Sequence, residues 1–212
     1  MIAEHSYGKD AVRLMLIDRE KKHEFVEWSV QCLLHGPDQE VAYRTTDNSH
    51  VIPTDTVKNT ILHLAEKASS FCPVSFAHRI SEHFLGRYPA SQVARVEVTV
   101  AQADWQQLNL TGPHACYRLG AAASPPARFC HLLATRGSTP LVSCGLGMTL
   151  IKCSGSGFVN FHTQDELTTL KETADRVFRT RIDLGWTLQP LAREGRFSII
   201  ERILLERFSQ DY

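Results

Sequence analysis

The chain has 212 residues, enough for one large or two small domains with a sizeable core, and its 43% hydrophobic and 22% charged residues set it far from disordered composition. Lys+Arg 23 against Asp+Glu 23 leaves a formal net charge of zero, so the basic excess behind sequence-independent phosphate binding is missing and no nucleic-acid partner is expected. The longest nearly uncharged apolar stretch, 140–151, is too short to span a bilayer, and residues 1–5 have neither a basic nor an apolar signal region, so no membrane is expected. Six cysteines, Cys32, Cys72, Cys116, Cys130, Cys144 and Cys153, include no C-x-x-C pair, which leaves reduced thiols as the expectation.

Val12, Leu14 and Leu16 alternate with Arg13, Met15 and Ile17, and Val26, Trp28, Val30 and Cys32 alternate with Glu27, Ser29 and Gln31. With the polar run 18–22 between them, these predict a hairpin of long antiparallel strands with one face buried. After Pro53 the period changes: Val57, Ile61, Leu64, Ala65 and Ala68 form one helical stripe, with Thr54 or Asp55 placed to cap the first turn. Pro73 opens a second helix, with Val74, Ala77, Ile80, Phe84 and Tyr88 on one stripe. Period two returns at Val96, Val98 and Val100, followed by shorter strands at 114–119 and 128–134 around a loop at 120–127. The order strand, strand, helix, helix, strand, strand predicts an α+β unit over 1–137, one antiparallel sheet with helices on one face. Over 138–212 the pattern restarts with strands at 146–152 and 176–188 and a helix at 197–208, Ile200, Ile203, Leu204 and Phe208 inward, which reads as a partial second copy.

No strong metal or phosphate motif is written here. His78 and His83 stand at i, i+5 on different faces of a helix, and Gly145-Leu146-Gly147 lacks the third glycine of a dinucleotide loop. Three polar clusters remain: Tyr7-Gly8-Lys9-Asp10, the run 47–60 from Asp47 to Thr60, and the run 167–176 from Leu167 to Arg176. Read blandly, Thr54-Asp55 is a helix start, Phe158 is core, and Arg176 is a surface partner of Asp175 or Glu172.

In that order the clusters resemble the urate oxidase (uricase) family. The run 47–60 is similar to its D-N-S-x-x-x-x-T-D-[ST]-x-K-N-T signature, Ser81-Glu82-His83-Phe84-Leu85 to its second-helix element, and Ser156-Gly157-Phe158 with 168–176 to its S-x-F and T-T-L-x-E-x-x-D-R run. The resemblance implies a tandem T-fold, first unit complete and second truncated. It implies a homo-oligomer, a tetramer in the family, with active sites between subunits. The implied activity is oxidation of urate by O2 and water to 5-hydroxyisourate and H2O2, with no metal and no other cofactor. Lys9 and Thr54 would then be the catalytic, proton-relaying pair, with Thr54 and the backbone N–H of Asp55 reaching a purine bound by a neighbouring subunit through Phe158, which stacks, and Arg176, which grips.

The chemistry suits these residue types. A guanidinium fork makes two charge-assisted hydrogen bonds to one edge of a planar anion, roughly 1.5–3 kcal/mol each. An aromatic face adds roughly 1–3 kcal/mol of stacking. A lysine becomes a usable base when burial and a partner lower its pKa. The family's Gln, Asn and His elements have no counterpart after Arg176, so weak turnover and a tendency to associate are expected; the alternative function is a catalytically impaired relative that binds a purine or a partner subunit. The family's peroxisomal ending is also absent, which implies a cytoplasmic location. A pterin-type T-fold activity is disfavoured, since no His or Cys cluster for its metal is found.

Overall fold

A computed structural model describes residues 5–19, 24–68, 70–108, 116–120, 128–189, 192 and 194–210. In chain order the elements are β1 (Tyr7–Asp18), β2 (Glu24–His35), a 3-10 turn (Pro37–Gln39), α1 (Glu40–Arg44), α2 (Thr54–Glu66), α3 (Pro73–Arg87), β3 (Arg95–Gln102), β4 (Trp105–Leu108), β5 (Cys116–Leu119), β6 (Arg128–Thr135), β7 (Leu141–Lys152), β8 (Phe178–Thr187) and α4 (Phe197–Ser209). Six strands are hydrogen-bonded in the order β1-β2-β3-β6-β7-β8, and β4 pairs with β5 in a separate ladder. The chain divides into two compact units, one comprising Met1–Gly145 with Gly185–Gly195, the other Leu146–Leu184 with Arg196–Tyr212.

In the first unit the period-two pattern decides which face is covered. Val30, Cys32 and Leu34 of β2 stand opposite Val100, Val98 and Val96 of β3, which in turn face Cys130, Leu132 and Ala134 of β6. All nine are buried. They lie on the side where α2 packs on β1 and α3 packs on β3 and β6. The helices supply Val57, Ile61 and Ala65 from α2 and Val74, Phe76, Ala77, Ile80 and Phe84 from α3. Trp28 and Phe76 meet with ring centroids 5.2 Å apart. Each large apolar side chain buried here contributes roughly 1.5–3 kcal/mol.

Several expectations change in detail. Pro53, not Thr54 or Asp55, occupies the N-cap of α2, and no side chain caps it. Pro53 has no N–H to satisfy, so Thr54 starts the helix and Asp55 puts its charge in the first turn, where the helix dipole favours an anion. Leu64, Ala68 and Tyr88 are only half-buried, and Tyr88 stands just past the end of α3. The strand expected at 114–119 is β5, paired with β4 outside the main sheet; positions 114–115, most of the expected loop at 120–127 and much of the first hairpin turn lie outside the described residues. The short elements at 37–44 and 105–108 escape periodicity because each is under two turns or under five residues long.

In the second unit α4 presents Phe197, Ile200, Leu204 and Phe208 as its least exposed apolar residues, while Ile203, expected inward, is 50% exposed. Phe208 stacks on Phe178 of β8 with centroids 6.4 Å apart.

On the sheet face away from the helices, His35 of β2 stands between Arg95 and Glu97 of β3. Arg95 Nη2 donates to His35 Nδ1 at 2.9 Å, which leaves the ring proton on Nε2, 2.9 Å from Glu97 Oε1. Burial, and then the Arg95 guanidinium, hold the imidazole below the ordinary histidine range against the opposing pull of Glu97. In His83, burial and then Arg87 and His63 act in the same direction. A histidine with a lowered folded pKa binds fewer protons than the unfolded chain just below pH 6.5, so folding stability falls as pH drops through that window. The urea midpoint of the wild type should therefore decrease between pH 7.5 and pH 5.0 by more than that of His35→Gln; equal decreases would remove His35 from the acid response.

Candidate active site

Lys9, Thr54 and Asp55 belong to the first unit, Phe158 and Arg176 to the second. Lys9 is positioned by an irregularity of β1. Tyr7 pairs with Leu34 and Lys9 with Cys32, whereas Val12 pairs with Val30, so two residues of β1, Asp10 and Ala11, oppose the single residue Gln31. This is a β-bulge, and it changes the parity of the strand. Val12 and Leu14 face the helices; strict alternation back from them would send the odd-numbered Lys9 to the open face, but the extra residue returns Tyr7 and Lys9 to the helix side. Ala11 takes the left-handed backbone (φ 53), and its N–H is held by Asp10 Oδ1 at 2.6 Å. Gly8 is required between the two, since a side chain there would strike the Cys32 carbonyl.

The facing element is the start of α2. The loop before it is tied by short side chains: Thr45 Oγ1 donates to Val41 O at 2.9 Å, Asp47 N to Thr45 Oγ1 at 3.1 Å, and Ser49 N to Asp47 Oδ1 at 2.8 Å. Val51 N then donates to Asn48 O at 3.0 Å and Ile52 N to the Tyr7 hydroxyl at 2.7 Å. Thr54 and Asp55 follow, both exposed. The first helical acceptor of α2 is Pro53 O, taken by Val57 N, so the N–H groups of Thr54, Asp55 and Thr56 have no intrahelical acceptor. The Asp55 carboxylate is engaged by Lys58 Nζ at 2.7 Å and Asn59 Nδ2 at 2.8 Å. Lys58 foremost, then Asn59 and Lys9, hold this carboxyl below its usual range. Helix α2 packs on β1, so Lys9 and the first turn of α2 belong to neighbouring elements of this unit.

In the second unit Phe158 and Arg176 come together. Phe158 and Thr173 form an antiparallel bridge, Phe158 N to Thr173 O at 2.7 Å and Thr173 N to Phe158 O at 3.1 Å. Gly157 permits it, since an added Cβ would lie 2.8 Å from Ala174 O. The Arg176 guanidinium carbon lies 5.5 Å from the centroids of both Phe158 and Phe178. Phe158, 42% exposed, also stacks on Phe161 with centroids 4.7 Å apart, so it is not simple core. The two carboxylates that would make Arg176 a surface ion pair are engaged elsewhere: Asp175 Oδ1 accepts Gly155 N at 2.6 Å and Glu172 Oε1 accepts Asn160 N at 2.7 Å. Arg176 Nε is buried and has no hydrogen-bond partner among the described residues.

Sequence reasoning missed the bulge and the aromatic neighbours Phe161 and Phe178. The parity conflict between Lys9 and Val12, beside an Asp able to bond the next N–H, was the available signal for the first. Among the described residues no group of three or more His, Cys, Asp or Glu is placed to hold a metal ion, and no helix is long and apolar enough to cross a membrane.

An antiparallel sheet with helices on one face and these polar loops defines a T-fold protein, and comparison with known proteins narrows the class. The uricase family model matches residues 5–125 and 145–212. A uricase of Schizosaccharomyces pombe is 35% identical over 220 residues, covering 97% of this chain and 72% of its own length. A uricase of Oryctolagus cuniculus is 32% identical over 213 residues, covering 97% and 69%. The crystal structure of uricase from Arthrobacter globiformis superposes with a TM-score of 0.79 at 27% identity over 100% of this chain and 71% of that one. The chain belongs to the uricase family, whose named members are oxidoreductases.

The strained bulge yields a stability prediction. An alanine in the left-handed region costs roughly 1–2 kcal/mol, partly offset by the larger backbone entropy that glycine loses on folding. Ala11→Gly should raise Tm by about 1–3 °C in calorimetry; a lower Tm would show that the Ala11 backbone carries no strain.

Proposed function

We propose that this protein is a urate oxidase, converting urate, O2 and water to 5-hydroxyisourate and H2O2. The observation that carries the reading is Arg176: a guanidinium against two phenyl rings, with a buried Nε that lacks an acceptor among the described residues while both neighbouring carboxylates accept backbone N–H groups. An unmet buried donor costs roughly 1–3 kcal/mol, so the position is suited to an acceptor that arrives from outside. Urate is a planar anion with carbonyl-bearing edges, and it matches both the fork of Arg176 and the exposed face of Phe158.

Thr54 and Asp55 supply the opposite half. The free N–H of Asp55 and the exposed Thr54 hydroxyl lie at a helix N-terminus, an arrangement suited to a purine anion. Lys9, returned to the helix side by the bulge, acts as the neutral amine and takes a proton from urate through the Thr54 hydroxyl, and the resulting dianion is electron-rich enough to reduce O2 without a metal or flavin. We further propose a homo-oligomer in which Thr54 and Asp55 of one copy meet Phe158 and Arg176 of another, as in the family's tetramer. β1 ends the strand order, and Met15 and Ile17 on it are 65% and 52% exposed, which supports association along this strand. We read residues 1–137 and 138–212 as the tandem units of that assembly, supported by the strand pair β7, β8 and the following α4, which repeat the order of β1, β2 and α2.

The test is urate consumption with equal O2 uptake and peroxide release in the presence of EDTA. Activity lost in EDTA and restored by a divalent ion would overturn the cofactor-free reading, and xanthine binding without turnover would leave a purine-binding relative. Arg176→Ala should weaken xanthine binding about 10- to 100-fold, the equivalent of one charge-assisted hydrogen bond. Lys9→Met should leave xanthine affinity within about twofold and lower kcat by about 10²- to 10⁴-fold. Unchanged xanthine affinity in Arg176→Ala would remove Arg176 from the site.

A further inference from the structure

We propose that Tyr7 is a positioning residue for the Lys9–Thr54 pair: its phenolic oxygen, accepting the Ile52 N–H at 2.7 Å, ties the strand that carries Lys9 to the turn that starts α2. The inference rests on the urate oxidase reading above and deepens it.

Tyr7 and Lys9 are two residues apart on the uninterrupted part of β1, paired with Leu34 and Cys32, and so share the helix-side face; the bulge comes only after Lys9. Ile52 is likewise two residues before Thr54, with Pro53 between them. The one hydrogen bond therefore spans the two elements at equal and short distance from both members of the pair. Its donor is also the last backbone N–H before Thr54 that can make such a tie. Pro53 has no N–H, and the preceding donor, Val51 N, is spent inside the loop on Asn48 O at 3.0 Å. Ile52 is 5% exposed, so its N–H has little access to water and depends on the phenol. Proline also confines Ile52 to extended backbone, which fixes the direction in which this N–H points. Burial raises the Tyr7 pKa above the ordinary tyrosine range, so the phenol stays neutral through the pH range in which a lysine and threonine relay works. With the hydroxyl gone, the turn before Thr54 loses its anchor to β1, while the loop bonds from Thr45 to Val51 remain.

Tyr7→Phe keeps the ring and removes the acceptor. The expected result is a kcat about tenfold lower with xanthine affinity reduced less than in Arg176→Ala, because Phe158 and Arg176 lie in the other unit. The double variant Tyr7→Phe/Lys9→Met should be no slower than Lys9→Met alone, since Tyr7 acts only through the pair. A simple structural role would instead lower Tm and leave kcat per folded molecule unchanged, and that result overturns the inference. So does a double variant slower than Lys9→Met by the full Tyr7→Phe factor. Should Tyr7→Phe fail to fold, amide hydrogen exchange in the wild type decides: protection at Ile52 supports the tie and fast exchange overturns it. Loss of turnover in Lys9→Met with no effect of Tyr7→Phe defeats this inference alone, whereas a wild type or a Lys9→Met variant that contradicts urate turnover defeats the reading beneath it and this inference together.

Discussion

Lys9 stands on the sheet face that α2 covers only because β1 carries one residue more than its partner β2 between the Lys9 and Val12 pairs, and the proposed role of Lys9 depends on that mismatch. Val12 and Leu14 commit the rest of the strand to the helix-covered core, so the register there is fixed by burial and cannot slip. The extra residue is absorbed by a left-handed alanine and a short bond from Asp10 to the Ala11 N–H. Strain of this kind persists where surrounding packing over-determines it, and it is common next to functional groups.

The second half depends on a different device. Arg176 is held by aromatic faces and not by a carboxylate, since Asp175 and Glu172 bind the backbone of the loop that carries Phe158. Those same bonds order residues 155–160 against 172–175, so the acid groups shape the loop, and Arg176 Nε is left without an acceptor among the described residues. An ion pair to either acid would have bound the fork from within the chain. Helix α2 follows similar logic, with the Asp55 carboxylate committed to Lys58 and Asn59 while its backbone N–H stays open.

Much of this was legible in the residues. Buried alternation in β2, β3 and β6 and the stripe Val57, Ile61, Ala65 gave the sheet and its covering helices, because each pattern was long enough for period two or 3.6 to be unambiguous. The helix α1 and the ladder of β4 and β5 were not, being too short to show a period. Thr-Asp is a common capping pair and suggests a cap, yet Pro53 stands at the helix entry and no side chain caps α2. Site positions were visible as polar clusters resembling the family's motifs, but their geometry was not: alternation alone would have placed Lys9 on the wrong face, and nothing in the spacing of Phe158, Phe161 and Phe178 announced that two of them flank Arg176.

The central claim, that the Arg176 guanidinium, with its unmet Nε, and the open first turn of α2 are two halves of one purine site, is most directly tested by a crystal structure of the protein with xanthine. The account predicts the purine ring against Phe158, its carbonyl-bearing edge within about 3 Å of the Arg176 guanidinium, and the Asp55 N–H and Thr54 hydroxyl of a second copy on the opposite side. Xanthine bound away from Phe158, or bound there with Arg176 Nε still lacking an acceptor, would contradict it.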